Sequence, residues 1–455
     1  MSMATLGMVA ESVRGVLHGA DRAFDAVSTD TRSLREDELF VALRGANYDA
    51  ADFVVDAARL GAAGALVERH VASDLAQVVV PDTRDALGEL ARVWRQRFAM
   101  PVIGVTGSNG KTTVKDMTAA ILRAHTGDDA AVLATRGNLN NEIGLPLMVL
   151  ELRALHQAAV FEMGASAPGE IGSLAAIAQP TIGIVTNAGP AHLEGFGSLE
   201  VVAKTKGELF ASLPADGTAI INRDDPFFDD WLARCPGCRA LSFGLGPHPD
   251  VRATDIRENG SSLEFTLHLP DTHFPVRLAM AGQHNVSNAL AAAAAALAVG
   301  VDRGAVQDGL AKAAQPAGRL RRLESATGAV VYDDSYNANP ASVLAAVGFL
   351  AAQPGETWLV LGDMKELGPD SLELHRDCGA AARDAGIDRL LCVGDHAREA
   401  ATAFGDGGDW FESREALIAA AQKDLGAGVT VLVKGSRSMG MEKVAAALVA
   451  AGGEG

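Results

Sequence analysis

The stretch from Val102 to Leu122 constrains this chain more than any other. Val102-Ile103-Gly104-Val105-Thr106 is a short apolar, β-branched run that reads as a buried strand, and Val114, Met117, Ile121 and Leu122 recur at helical spacing. Gly107-Ser108-Asn109-Gly110-Lys111-Thr112-Thr113 must then join a strand to a helix N-terminus. Its glycines let the backbone approach a ligand with N–H groups turned inward, and the helix start adds partial positive charge. That geometry suits phosphate. Lys111 places an ammonium among phosphate oxygens, and the hydroxyl of Thr112 or Thr113 can join the shell of a magnesium ion. The general nucleotide loop wants a glycine where this chain has Val105. Gly104, Gly107 and Gly110 also fit a dinucleotide loop, but that loop meets a pyrophosphate with backbone alone, and Lys111-Thr112-Thr113 argues against it. A merely structural strand-to-helix turn is the plainer alternative.

A length of 455 residues gives a prior of about three domains. Lys plus Arg number 39 against 57 Asp plus Glu, a net charge of −18 that opposes binding to nucleic acid or an anionic membrane. An anionic substrate therefore needs a local basic pocket. Met1 to Val16 has neither a basic n-region nor an apolar h-region, and Ala289 to Val301 is too short and too alanine-rich for a membrane span, so a cytoplasmic enzyme is expected. Cys235-Pro236-Gly237-Cys238 is a lone C-x-x-C, to which Cys378 and Cys392 add no second pair with zinc spacing. It reads as a loop with two incidental thiols.

The fold class is α/β in three domains: a small N-terminal α/β domain, a central P-loop parallel-sheet domain and a C-terminal Rossmann-like domain. The boundaries fall at 1–98, 99–315 and 316–455. In the first, strands are expected at 39–43, 65–67 and 78–80 and helices at 53–60 and 85–98. Ser28-Thr29-Asp30-Thr31-Arg32 is by itself a capped turn, although Arg32 and Arg44-Gly45 offer cations and a close-approach glycine to an anion.

In the second, strands at 158–161 and 181–185 end in Glu162 and in Thr186-Asn187. The crevice of an open parallel sheet lies outside such strand ends, so Glu162, Asn187 and the following His192 share an edge with the phosphate loop. Glu162 can hold magnesium and His192 a second ion; singly, one could cap a helix and the other be a satisfied loop histidine. Lys204 and Lys206 lie on a helix, where lysines are ordinarily solvated. Asn285 and Asn288, three apart at a helix start, could read a base edge or cap the helix. In the third, strands at 330–332, 358–361, 390–393 and 429–433 end in polar clusters, and Arg319, Lys434 and Arg437 could face the middle domain's nucleotide across a cleft.

Five motifs in order resemble those of the Mur ligase family. They are Thr106 to Thr113; Gly137-Asn138-Leu139-Asn140-Asn141-Glu142-Ile143-Gly144; Ala191-His192-Leu193-Glu194-Gly195-Phe196-Gly197; Asp333-Asp334-Ser335-Tyr336-Asn337-Ala338-Asn339-Pro340; and Leu361 to Gly368. The resemblance runs from Ser28 to about Glu442. It implies an ATP- and magnesium-dependent amide ligase of peptidoglycan precursor synthesis, joining D-alanyl-D-alanine to UDP-N-acetylmuramoyl-tripeptide through an acyl phosphate. By motif position it assigns Lys111 to the transferring phosphoryl group and Thr112, Glu162 and His192 to magnesium. Lys206 matches a lysine that the family carbamylates, with Lys204 as fallback. Gly107, Ser108, Asn109, Gly110, Lys111, Thr112 and Thr113 would cradle ATP, Asn285 and Asn288 its adenine, Asp334 its ribose and Arg319 its phosphates.

Substrate contacts fall to Ser28, Thr29, Arg32 and Gly45 at the UDP end, and to Asn138, Asn140, Asn141, Asn337, Asn339, Lys434 and Arg437 elsewhere. One departure stands out: Asp49-Ala50-Ala51 replaces the family's Asp-Gly-His before Phe53. A monomer without nucleic-acid partner is expected. The alternatives are a sister ligase that adds a single amino acid, a P-loop ATPase without ligation, and a nicotinamide-dependent oxidoreductase.

Overall fold

The computed structural model describes residues 2–45, 48–190, 193–235, 237–259 and 262–451. Three larger sheets, each with a parallel core, follow one another along the chain. The first has five strands in the order Val16–His18, Gln77–Val79, Gly64–Val67, Glu38–Val41, Ala26–Ser28, parallel except at Val16–His18. Leu39, Phe40, Val41, Ala65, Leu66 and Val67 are buried, as continuous apolar runs are when helices or loops cover both faces of a parallel sheet. The helix Thr83–Arg95 starts on Asp82, whose Oδ1 accepts from the N–H of Arg84 and of Asp85. Its far end seams the first unit to the second: Trp94 Nε1 donates to the Leu152 carbonyl (3.1 Å) and Arg95 Nε to that of Ala178 (2.9 Å).

The second sheet has nine strands. Val132–Ala134 lies at one edge, followed by Ala158–Glu162, Val102–Thr106 and Ile182–Val185. The chain crosses from one side of Val102–Thr106 to the other, which makes that strand the topological switch point where ligands of open α/β sheets gather. Register places Glu162 opposite Val105 and Val185 opposite Thr106, so both neighbouring strands end beside the loop that starts at Gly107. The sheet continues through Thr218–Asn222, Arg239–Gly244, Val251–Asn259, Ser262–Leu269 and Thr272–Leu278, the last three antiparallel. None of these five strands was expected. Ser262–Leu269 and Thr272–Leu278 bury only alternate positions, so neither presents the continuous apolar run by which the other strands were read.

The helices Lys111–Thr126 and His284–Val299 pack on this sheet. Ala289 to Ala296 of the second are all buried, and their small side chains let helix and sheet come close from every side. A third helix, Arg303–Lys312, lies so tightly on the first that a Cβ at Gly309 would run into the Ile121 backbone.

The third sheet runs Arg321–Glu324, Val330–Asp334, Val429–Lys434, Glu356–Gly362, Arg389–Val393, Gly408–Phe411, parallel after the first pair. Its helix Pro340–Ala351 starts in a capping box: the Asn339 side chain accepts from the Ser342 N–H, and Ser342 Oγ from the Asn339 N–H.

Cys235 and Cys238 are bonded to each other, contrary to the expectation of two incidental thiols; their Cα atoms lie 5.6 Å apart, within disulfide range. Among the described residues no helix is long and apolar enough to cross a membrane.

Gly309→Ala should destabilise the protein by about 1–3 kcal/mol, because the new methyl meets backbone, which cannot rotate away. Thermal unfolding checks this: a raised midpoint, as alanine's helix propensity alone would give, contradicts it.

Candidate active site

The phosphate loop is shaped by the strand end beside it. Ser108 N donates to the Asn187 carbonyl (3.0 Å) and Asn109 N to Asn187 Oδ1 (3.0 Å), while Asn187 Nδ2 returns to the Asn109 carbonyl (3.1 Å). Thr186 Oγ1 donates to that same carbonyl (2.5 Å), and Ser108 Oγ to the carbonyl of Gly189 (3.0 Å). Gly107 (φ +143°) and Gly110 (φ +83°) have a backbone that side chains rarely adopt, and the space a Cβ would take is held by Thr186 Oγ1 at the first and Asn288 Oδ1 at the second. Lys111 curls over the loop, its Nζ donating to the carbonyls of Gly107 (2.7 Å) and Ser108 (3.2 Å). Burial pushes its ammonium pKa down; Glu162 opposes this and Arg319 adds to it.

Glu162 is buried and held at both oxygens by neutral groups: Oε2 accepts from Thr112 Oγ1 (2.8 Å) and Oε1 from Asn140 Nδ2 (2.8 Å). Asn141 uses its Oδ1 to accept from Gly144 N (2.9 Å) at the start of helix Gly144–Val149, and Asn138 stands exposed on the cleft wall. Lys206 is buried under the site with its ammonium 5.5 Å from the Phe196 ring centroid, whereas Lys204 is exposed. Burial, then the nearby Lys111 charge, pull the Lys206 pKa down to about 7 against the opposing pull of Glu170 and Glu208.

The third unit closes the loop from the other side. Arg319 Nη2 donates to Thr112 Oγ1 (2.8 Å), so a chain of donors runs from Arg319 through Thr112 to Glu162. Asn339 Nδ2 donates to Asn109 Oδ1 (2.9 Å). Lys434 Nζ bonds Asp334 Oδ2 (2.6 Å) and the Asn337 carbonyl (3.0 Å). The guanidinium groups of Arg319 and Arg437 lie 4.3 and 5.8 Å from the Tyr336 ring centroid, a platform that sequence reasoning passed over; its signal was an aromatic among acids and amides at a strand end.

A cleft of about 1370 Å³ gathers Ser108, Asn109, Gly110, Lys111 and Thr113 with Asn138, Asn140, Asn141 and Glu162. The same cleft takes in Asn285, Asn288, Arg319, Asp334, Asn337, Asn339, Lys434 and Arg437, and adds Arg84, Glu142 and Lys365, which had not been singled out as site residues. Asn285 and Asn288 do not cap their helix. Asn285 Nδ2 reaches back to the Ala281 carbonyl (2.7 Å) and Asn288 Nδ2 to Asn285 Oδ1 (3.0 Å), which fixes the pair against Gly110.

Ser28, Thr29, Arg32 and Gly45 do not line this cleft. The first three build the turn that such residues form unaided: Ser28 Oγ accepts from Asp30 N (3.3 Å), and Asp30 Oδ1 from Arg32 N (2.9 Å). Hydrogen bonds from Arg32 hold the Asp30 carboxyl at a pKa of about 2. Gly45 N donates to the Tyr48 carbonyl (2.9 Å). His192 lies outside the described residues.

Among the described residues no three of His, Cys, Asp and Glu gather as a ready metal cage. Thr112 and Glu162 instead offer two adjacent hard oxygens beside a phosphate loop, a donor set suited to magnesium, which keeps waters and takes phosphate oxygens as ligands.

A phosphate loop at a switch point, closed by cations from a second α/β unit, defines an enzyme that works on nucleotide phosphates. The Mur ligase middle domain matches residues 105–296 and the Mur ligase glutamate ligase domain residues 318–437; the chain belongs to the Mur ligase family. It is similar to the UDP-N-acetylmuramoyl-tripeptide–D-alanyl-D-alanine ligase of Escherichia coli K12, 44% identical over 455 residues that cover 98% of this chain and 99% of that one. Among solved structures it resembles the UDP-N-acetylmuramoylalanyl-D-glutamyl-2,6-diaminopimelate–D-alanyl-D-alanyl ligase of Acinetobacter baumannii (TM-score 0.87, 36% identity, 98% of each chain). It also resembles the MurF ligase of Thermotoga maritima in complex with ADP (TM-score 0.81, 30% identity, 93% of this chain and 96% of that one).

The Lys206 environment predicts a pH dependence. The unfolded chain binds a proton on this lysine below pH of about 10, whereas the folded protein does so only below about 7. Lys206 therefore costs stability progressively as pH falls from about 10 to 7, and by a constant amount below that. In buffer free of carbon dioxide, the stability advantage of Lys206→Met over wild type should grow over that interval in denaturant titrations. An advantage independent of pH contradicts the assignment.

Proposed function

We propose that this chain joins D-alanyl-D-alanine to UDP-N-acetylmuramoyl-tripeptide at the expense of ATP, in the cytoplasm and as a monomer. The observation that carries this reading is the donor chain Arg319–Thr112–Glu162–Asn140 beside Lys111, which ties the phosphate loop to both walls of one cleft. The full-length similarity to the Escherichia coli ligase supports the choice of substrates, and the ADP complex of the Thermotoga maritima ligase supports the nucleotide.

In this reading residues 1–98 hold the UDP end, with Ser28, Thr29, Arg32 and Gly45. Residues 99–315 hold ATP, and residues 316–455 supply contacts to dipeptide and nucleotide. Asn285 and Asn288 face adenine, Asp334 the ribose, and Asn337, Asn339, Lys434 and Arg437 the substrates.

The terminal carboxylate of the tripeptide attacks the γ-phosphorus; an O–P bond forms and the bond to ADP breaks. Lys111 and Arg319 neutralise the transferring group from positions that hydrogen bonds fix beforehand. The neutral amine of D-alanyl-D-alanine then attacks the acyl carbon, the amide C–N bond forms, and phosphate leaves with the C–O bonding pair while the amine gives up its proton.

Thr112 and Glu162 would hold magnesium, joined by Lys206 once carbamylated; the ion would supply charge neutralisation at the phosphate oxygens. An amine with a pKa of about 7 is substantially unprotonated near neutrality and so open to attack on carbon dioxide, forming an N–C bond and releasing a proton. This chemistry favours Lys206 over the exposed Lys204.

Phosphate release should require ATP, magnesium and both substrates together, with formation of a UDP-linked pentapeptide by mass. Lys111→Ala should lower turnover by about a hundredfold or more while the circular dichroism spectrum stays native. Phosphate release that ignores the dipeptide, or near-normal turnover in Lys111→Ala, overturns the reading.

A further inference from the structure

The Arg84–Glu142 pair sits at the seam between the first two units. Arg84 occupies the first turn of Thr83–Arg95, its N–H fixed by Asp82, and Glu142 belongs to the loop that carries Asn140. Arg84 Nη1 and Glu142 Oε1 are 3.6 Å apart, beyond hydrogen-bond reach, with side chains 47% and 53% exposed, and both line the cleft. Several other charged groups there have closer partners: Glu162 has Thr112 and Asn140, Asp334 has Lys434, and Glu170 accepts from the N–H groups of Ser166 (2.7 Å) and Ala167 (3.2 Å); Arg437, as far from Glu442 (3.6 Å) as Arg84 is from Glu142, lies instead against the Tyr336 ring. A loose, half-exposed ion pair contributes little to stability, so exchanging partners with a ligand costs little.

A cation and an anion side by side match a ligand group that carries both charges. Glu142 is two residues from Asn140, the residue that holds Glu162, so at most about 7 Å of backbone separates it from the position that fixes the reacting edge. Ile177 lines the same cleft and packs beside Gly88, one turn along the helix from Arg84, which gives an apolar wall for methylene groups.

We infer that Arg84 and Glu142 read the third residue of the acceptor tripeptide, selecting a side chain that ends in a carboxylate and an ammonium on one carbon. This rests on the ligase reading above. Diaminopimelate has that chemistry: one of its amino-acid centres presents the reacting carboxylate, and three methylenes away the other stays zwitterionic. Lysine offers the ammonium alone. A lone carboxylate of the substrate, such as that of a glutamyl residue, would meet Arg84 but be repelled by Glu142, so a pair favours the zwitterion.

Steady-state kinetics with two UDP-linked tripeptides, differing only in diaminopimelate or lysine as third residue, test this. Wild type should prefer the diaminopimelyl substrate. Arg84→Met should raise KM for that substrate about tenfold or more, the scale of a lost charge-assisted hydrogen bond. Its kcat should stay near wild type, the lysyl substrate should be little affected, and Arg84→Lys should restore much of the preference. Glu142→Gln should weaken both substrates, since both carry the ammonium. Equal losses on both substrates in Arg84→Met, or a wild type indifferent to the third residue, overturn the inference while leaving the ligase intact. A wild type that ligates neither peptide removes the ligase reading itself.

Discussion

The architecture of the cleft depends on how Glu162 is held. A buried carboxylate beside a lysine would ordinarily be expected to pair with it, and the pair would then be closed to ligands. Here Thr112 and Asn140 satisfy the carboxylate, and Lys111 donates to the carbonyls of its own loop. Charge of each sign is thus fixed in place without being neutralised by direct pairing, which leaves both open to a ligand. Parallel register sets the arrangement: Glu162 falls opposite Val105, at the level where the loop leaves the sheet.

The same economy of contacts links the units. Arg319 ends on the hydroxyl that Thr112 shares with Glu162, and Asn339 both starts its own helix and reaches Asn109. The third unit therefore meets the phosphate loop through hydrogen bonds at its tip, and most of its apolar core is its own. Contacts of that kind can be exchanged for ligand contacts at small cost. In an acidic protein of net charge −18, Lys111, Arg319, Lys434 and Arg437 line one cleft, where Asp334 already holds Lys434.

Strand ends were legible because buried parallel strands are continuous apolar runs whose polar successors stand out; Glu162, Thr186-Asn187 and Lys434 were all located this way. Pattern stopped helping where function or packing is tertiary. The antiparallel strands Ser262–Leu269 and Thr272–Leu278 bury every second residue, so they carry an alternating pattern that a search for continuous apolar runs passes over. Asn285 and Asn288 looked like caps because their bonds to Ala281 and their contact with Gly110 depend on chain segments brought together by folding. Lys206 and Lys204 are two residues apart and chemically alike, and only packing buries one and exposes the other. The Arg84–Glu142 pair joins separate units, so no local spacing announces it.

In the proposed reaction, phosphoryl transfer and amide formation share this cleft through an acyl phosphate. Labelling the terminal carboxylate of the tripeptide with heavy oxygen tests it most directly, by mass analysis of the phosphate released during ligation. One labelled oxygen per phosphate is the predicted result, because the carboxylate oxygen that attacks phosphorus departs with it. Unlabelled phosphate formed in step with pentapeptide would contradict the account.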